Sequence, residues 1–175
     1  HFVGVLTALQ AADPDLIRAR RWLDMGVGSG ILSGYLLEQG AAAVVGTDLH
    51  PAAVPNTEFN LRSHLPEVAT RFTGYRGDVW EALPASERDQ PFDGVVCNAP
   101  LFDMQPRPGH PEDWQEQAGA GFSMVRRFLE GLSTHLAPGR SAYLRIHRAD
   151  SEGIYSLRHL AEMVADLPLE ARPAL

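Results

Sequence analysis

The stretch Arg21-Trp22-Leu23-Asp24-Met25-Gly26-Val27-Gly28-Ser29-Gly30 decides how the rest of the chain reads. Arg21 to Met25 is an apolar run of strand length, and the glycines at 26, 28 and 30 close it with a tight turn. Helical spacing resumes at Ile31 and ends near Gln39, where Gly40 is a helix stop. Strand, glycine turn and helix in that order bring unpaired N–H groups and a positive dipole end beside backbone that a ligand can approach closely. A nicotinamide fingerprint, G-x-G-x-x-G, asks for a third glycine at position 31, which is Ile31. The acid two residues before the first glycine, Asp24, suits a cationic amino-acid moiety and repels a pyrophosphate. A plain tight connection is the bland alternative, so the turn needs company from elsewhere in the chain.

Outward from it, strand and helix signals alternate. His1 to Ala11 reads as a helix, with Phe2, Val5, Leu6 and Leu9 at helical spacing. A second strand covers 42–47 and ends at Asp48. A helix follows over 51–63, and a third strand over 71–75 leads to Gly77-Asp78. The fourth strand, Phe92 to Cys97, runs straight into Asn98-Ala99-Pro100-Leu101. The polar stretch 103–121, with Pro106, Pro108 and Pro111, reads as a long loop, either a functional lid or unstructured. A helix over 122–136, a Pro138-Gly139 turn, a strand over 141–147 and a helix over 152–165 complete the series; 166–175 has no clear pattern. There are no repeats or low-complexity tracts. The fold class expected is α/β, a doubly wound, mostly parallel sheet with helices on both faces.

The whole chain, 1–175, has the size of one domain, with 45% hydrophobic residues and a formal charge of -7. Its start at His1 suggests a segment of a longer protein. The absence of a leader-like segment and the single Cys97 suggest a cytoplasmic setting without a disulfide framework. No apolar run is long enough to span a bilayer, so no membrane is expected. All 15 basic residues are arginine, which excludes Schiff-base lysines and a P-loop lysine. The acidic balance argues against a broad basic face for nucleic acid. The seven histidines include no i, i+4 pair, so no metal site is expected. Nothing in the sequence sets an oligomeric state.

Ligands of doubly wound sheets bind beyond the carboxyl ends of the strands, and every candidate falls there. Asp48, followed by Leu49, can accept both hydroxyls of a ribose or cap the next helix. Asp78 can accept an adenine amino group, with the Val79 N–H facing the ring, or it can be an ordinary turn aspartate. The side chain of Asn98 and the main-chain carbonyl of Ala99 can accept two N–H bonds from one planar amino group. Pro100 stiffens that pair by holding Ala99 extended. Trp22 and Trp80 read as core, Cys97 as a buried strand residue rather than a nucleophile, and Trp114 as a loop residue able to line a substrate pocket.

Asp24 to Gly30, Asp48, Gly77-Asp78 and Asn98-Ala99-Pro100-Leu101 together resemble the class I S-adenosylmethionine-dependent methyltransferases. The last of these is similar to the Asn-Pro-Pro-Tyr motif of the amino-directed branch. Gly77 to Leu83, Gly119 to Phe122, the pair Arg126-Arg127 and Leu136 to Arg140 resemble the release-factor glutamine methyltransferase family. The likeness covers roughly residues 22–147. It implies S-adenosyl-L-methionine as cofactor, bound by Asp24, Gly26, Gly28 and Gly30 at its methionine end. Asp48 and Leu49 would serve the ribose, Asp78 and Val79 the adenine, and Asn98 the reacting end. It implies Asn98, Ala99 and Pro100 as the catalytic segment and Asn98, Leu101 and Phe102 as substrate contacts. Two departures stand out: Ala99 replaces the first proline and Leu101 the aromatic, with Phe102 next door as a substitute platform. The implied reaction is in-line methyl transfer to an amide or amino nitrogen, needing no strong general base. The implied acceptor is a glutamine-like protein side chain, with a nucleic-acid base amino group or a small-molecule amine as alternatives. A nicotinamide oxidoreductase and a non-catalytic cofactor-binding domain are the outside readings. A class I fold ends in a strand hairpin, for which only 167–175 remains, so that hairpin is expected to be incomplete.

Overall fold

The computed structural model describes residues 2–99, 122–145 and 164–170. Its strands are β1 (Arg21–Met25), β2 (Ala43–Asp48), β3 (Phe72–Arg76), β4 (Phe92–Asn98) and β5 (Leu136–Arg145). They form one sheet in the order β3-β2-β1-β4-β5, and all four pairings are parallel. The order reverses between β1 and β4, where Met25 stands opposite Cys97, and this opens a crevice at the carboxyl ends. The helices are α1 (Phe2–Ala12), α2 (Ile31–Glu38), α3 (Ala53–His64), a single turn α4 (Ala85–Arg88) and α5 (Phe122–His135). Among the described residues no helix is long and apolar enough to cross a membrane.

Because side chains alternate along a strand, β1 feeds two cores. Trp22 joins Phe2, Leu6, Leu36, Leu37, Val44 and Leu61 on the face covered by α1, α2 and α3. Leu23 and Met25 join Val95, Trp80, Phe128 and Leu132 on the opposite face, under α5 and the 3-10 turn Val79–Ala82. Parallel strands covered on both faces read as continuous apolar runs, which is why Val44-Val45 and Val95-Val96-Cys97 show no alternation. The doubly wound expectation is met.

Trp80 seats α5. Its ring stacks on Phe128 at 6.1 Å between centroids, and its Nε1–H donates to the carbonyl oxygens of Arg127 and Phe128 at 3.0 and 3.2 Å. Gly131 makes room for it, since a Cβ there would stand 2.1 Å from Trp80 Nε1.

The elements lie close to their expected places, with two differences. β5 begins at Leu136, directly after α5, and not beyond the Pro138-Gly139 turn. Phe92 pairs with Leu136 and Gly94 with Ser141, so the turn survives as an irregularity inside the strand. Pro138 has no N–H for the ladder and Gly139 takes φ 73°, so both belong in the bulge. The second difference is α4, too short to leave a periodic signal. The expected loop over 103–121, the strand's continuation to His147, most of the helix over 152–165 and residues 171–175 of the expected closing hairpin lie outside the described residues; 167–170 carry no strand. Val164, Leu167 and Leu169 pack on the core beneath α5.

Candidate active site

At the carboxyl ends of β1 to β4 lies a cleft of about 600 Å3. Seven of the residues expected to bind a ligand line it: Gly26, Gly28, Asp48, Leu49, Asp78, Val79 and Asn98. Two others, Asp24 and Gly30, stand behind its wall.

The glycine turn forms the wall's centre. Gly26, Gly28 and Gly30 all hold left-handed backbone, at φ 80°, 55° and 84°, where other residues are strained. A Cβ on Gly26 would meet nothing within 4 Å, whereas one on Gly30 would stand 2.6 Å from Thr57 Cγ2. The first glycine thus opens the cleft and the last one admits α3. From α3, Thr57 Oγ1–H donates to the Gly28 carbonyl at 3.1 Å and Asn60 Nδ2–H to the Ser29 carbonyl at 2.9 Å, fixing the turn from behind.

Asp24 is 1% exposed on β1. Its Oδ2 accepts from Ser33 Oγ at 2.7 Å, and its Oδ1 has no partner among the described residues. Burial pushes its carboxyl up to about 6; the Ser33 hydrogen bonds oppose this and the nearby Asp48 charge adds to it. Asp48 accepts from the Gly28 N–H at 2.9 Å and the His50 N–H at 2.8 Å. It does not cap α3, whose preceding residue is Ala52 and which has no side-chain cap. Each Asp48 oxygen keeps acceptor capacity towards the cleft. Thr47, also lining the cleft, has a buried hydroxyl with no partner among the described residues.

Asp78 precedes the 3-10 turn Val79–Ala82 without a side-chain cap bond, and it is not a lone turn acid. Arg127 of α5 donates to its Oδ2 at 2.6 Å and, with its other terminal nitrogen, to Glu81 Oε2 at 2.8 Å. Val79 beside it is buried and holds φ 47°, a left-handed conformation that is strained for a β-branched residue.

Asn98 ends β4 and lines the cleft. Its Oδ1 accepts from Arg145 Nη1 at 3.0 Å, and the Ala99 N–H donates to the Arg145 carbonyl at 3.2 Å. The strand register brings the two together, Asn98 opposite Arg145. Pro100, Leu101, Phe102 and Trp114 lie outside the described residues. Cys97 is fully buried, and burial, reinforced by Asp24, pushes its thiol well above the usual range, so it is no nucleophile. Trp22 and Trp80 are core residues as expected.

Sequence reasoning missed Asn56 of α3 and Met124 of α5, which also line the cleft. Asn56, Thr57 and Asn60 share one helix face, a polar stripe that signals contact with something other than the core.

A family profile described as ribosomal protein L11 methyltransferase (PrmA) matches residues 5–104. The chain belongs to that family. Among curated relatives, a Shewanella baltica tRNA1(Val) (adenine(37)-N6)-methyltransferase is 26% identical over 170 residues, 95% of this chain and 66% of that one. The ribosomal protein L11 methyltransferase of Deinococcus radiodurans is 30% identical over 120 residues, 63% of this chain and 43% of that one. The chain therefore spans less than two thirds of the length of these relatives. A crystal structure of a ribosomal protein L11 methylase from Lactobacillus delbrueckii subsp. bulgaricus superposes with a TM-score of 0.63 at 17% identity, covering 97% of this chain and 70% of that one. By family and fold this is a class I S-adenosylmethionine-dependent methyltransferase domain. Its cleft fits the cofactor: the open space at Gly26 admits a chain against backbone, and Thr47 Oγ1 in the lining and Asp24 Oδ1 on the adjoining strand are buried with no partner among the described residues.

Proposed function

We propose that the domain transfers the methyl group of S-adenosyl-L-methionine to a planar amide or amino nitrogen, and that the acceptor is a glutamine-like protein side chain. One observation carries this reading: Asn98, an amide at the end of β4, lines the same cleft as the glycine turn, Asp48 and Asp78. When bound, the cofactor supplies an electrophilic sulfonium methyl. Gly26 and Gly28 leave space for its methionine end, and Asp24 offers negative charge from behind. Asp48 accepts from ribose hydroxyls, Leu49 flanks the ribose, and Asp78 accepts from the adenine amino group beside the Val79 N–H. Asn98 Oδ1 and the Ala99 carbonyl accept the N–H bonds of the incoming nitrogen and turn its lone pair towards the methyl. The displaced proton leaves to water, so no strong base is needed.

The Arg145 guanidinium on Asn98 Oδ1 favours a neutral amide over an ammonium acceptor. In sequence, Asn98-Ala99-Pro100-Leu101 keeps the asparagine and second proline of the Asn-Pro-Pro-Tyr motif and carries Leu101, followed by Phe102, where the motif has tyrosine. These features keep the resemblance to the release-factor glutamine methyltransferases as the finer reading. The free, buried Cys97 suits a cytoplasmic setting.

A second reading, a base amino group of tRNA, is favoured by the Shewanella relative that aligns along 170 residues. The charge of -7 and the absence of lysine weigh against a phosphate-tracking surface. The test is methyl transfer from labelled cofactor into peptide, tRNA and metabolite pools. Label recovered in N-methylglutamine supports the first reading. Label in tRNA replaces it with the second, and label in metabolites with a small-molecule amine acceptor. Cofactor binding with no transfer marks a non-catalytic domain.

A further inference from the structure

The fork of Arg127 between Asp78 and Glu81 is more than a surface ion pair. Both members of the Arg127–Asp78 pair are more than a third exposed, and such pairs add little to folding. Yet Arg127 starts from a backbone that cannot drift. Its carbonyl receives the Trp80 N–H, the adjacent Phe128 stacks on Trp80, and Gly131 one turn later is cleared for the same ring. Trp80 itself lies between the two acids that Arg127 bridges. A pinned guanidinium with two donors aimed at two carboxylates fixes the orientation of each.

Asp78 lines the cleft, and Arg127 takes only its Oδ2. The carboxylate plane is then set, and Oδ1 is the oxygen left for a donor in the cleft. We infer that Arg127 is a positioning residue: by holding Asp78 through Oδ2, it makes the cofactor's base subsite selective for a purine that carries a 6-amino group. This rests on the reading of Asp78 as the adenine carboxylate. A purine with a 6-oxo group offers a carbonyl where Asp78 needs a donor, and a fixed acceptor cannot turn away from it. A carboxylate free to rotate can relax into water and discriminates less.

The experiment is calorimetric titration of the 175-residue chain with S-adenosylhomocysteine and S-inosylhomocysteine. The wild-type chain is expected to prefer the adenosyl compound by about tenfold or more, the scale of one hydrogen bond to a charged group. Arg127→Met is expected to weaken adenosyl binding by about tenfold and inosyl binding hardly at all, so that the preference collapses. Arg127→Lys, which can still reach Asp78 with one donor, is expected to restore part of it. Arg127→Gln provides the same comparison should the methionine variant not fold. Equal losses for both compounds mean a purely structural role and overturn the proposal, as does an unchanged preference. Asp78→Asn separates the two layers. If it keeps the wild-type preference, the reading of Asp78 is wrong. If it loses the preference while Arg127→Met keeps it, only the role of Arg127 is wrong.

Discussion

Asp24→Asn tests the buried acid behind the cleft. In the folded chain Asp24 titrates near 6 rather than 3.8, chiefly because burial disfavours its charge. The fold therefore prefers the protonated carboxyl. The stabilisation from that preference is complete below about 4 and is lost as the pH rises through about 6. At pH 7 the ionised carboxylate then costs folding about 3 kcal/mol relative to the neutral group, at about 1.4 kcal/mol per tenfold change in proton affinity. Asparagine keeps the volume and still accepts from Ser33, but cannot ionise. Without cofactor, the variant is expected to match the wild-type chain near pH 4 and to exceed it by about 2–3 kcal/mol at pH 7. Urea unfolding of both proteins from pH 4 to 8 reads the difference directly, because other titrating groups cancel between them. Cofactor affinity should move the other way, falling in the variant at pH 7 as charge opposite the ammonium is lost. A variant whose stability relative to wild type does not change between pH 4 and 7 would refute the argument, as would one that is less stable throughout.

Other substitutions probe the frame and the two ends of the cleft. Gly131→Ala should lower stability by about 1–3 kcal/mol in urea titrations, since the added methyl overlaps Trp80 and forces α5 outward. Asp48→Asn should keep the turn at His50 yet weaken S-adenosylhomocysteine binding by about 10- to 100-fold in calorimetry, the range for hydrogen bonds to a charged group. Arg145→Met should release Asn98, lowering kcat by about tenfold while cofactor affinity stays within a factor of about two.

Much of this arrangement is legible in the sequence because it is local. The three glycines of the β1–α2 turn announce left-handed backbone within five residues; Asp48 and Asn98 end their strands, and Asp78 lies two residues past β3. In a parallel sheet, strand ends converge on one edge, so these residues meet whatever lies between them in the chain. What stays illegible depends on partners far apart in sequence. Arg127 reaches Asp78 across 49 residues and Arg145 reaches Asn98 across 47, and neither pairing leaves a periodic or compositional trace. The two readings offered for Asp48 from sequence differ only in where α3 begins, and the chain starts that helix at Ala53, too late for Asp48 to cap it. Gly131 reads as an ordinary helix residue until Trp80 is seen to need its missing Cβ. Gly46 and Gly74 likewise look like weak strand positions, and yet their missing side chains admit Phe72 and Val54.

On the proposed reading, Asn98 orients the methyl-accepting nitrogen while the rest of the cleft holds the cofactor. Asn98→Ala tests it in one preparation. Methyl transfer from labelled cofactor into the acceptor pool that the wild-type chain labels is measured alongside S-adenosylhomocysteine affinity by calorimetry. Transfer is expected to fall by at least about 100-fold, the scale of losing a preorganised polar contact at a reacting centre, while affinity changes by less than about threefold. Transfer at near wild-type rate, or a parallel collapse of transfer and affinity, would contradict it.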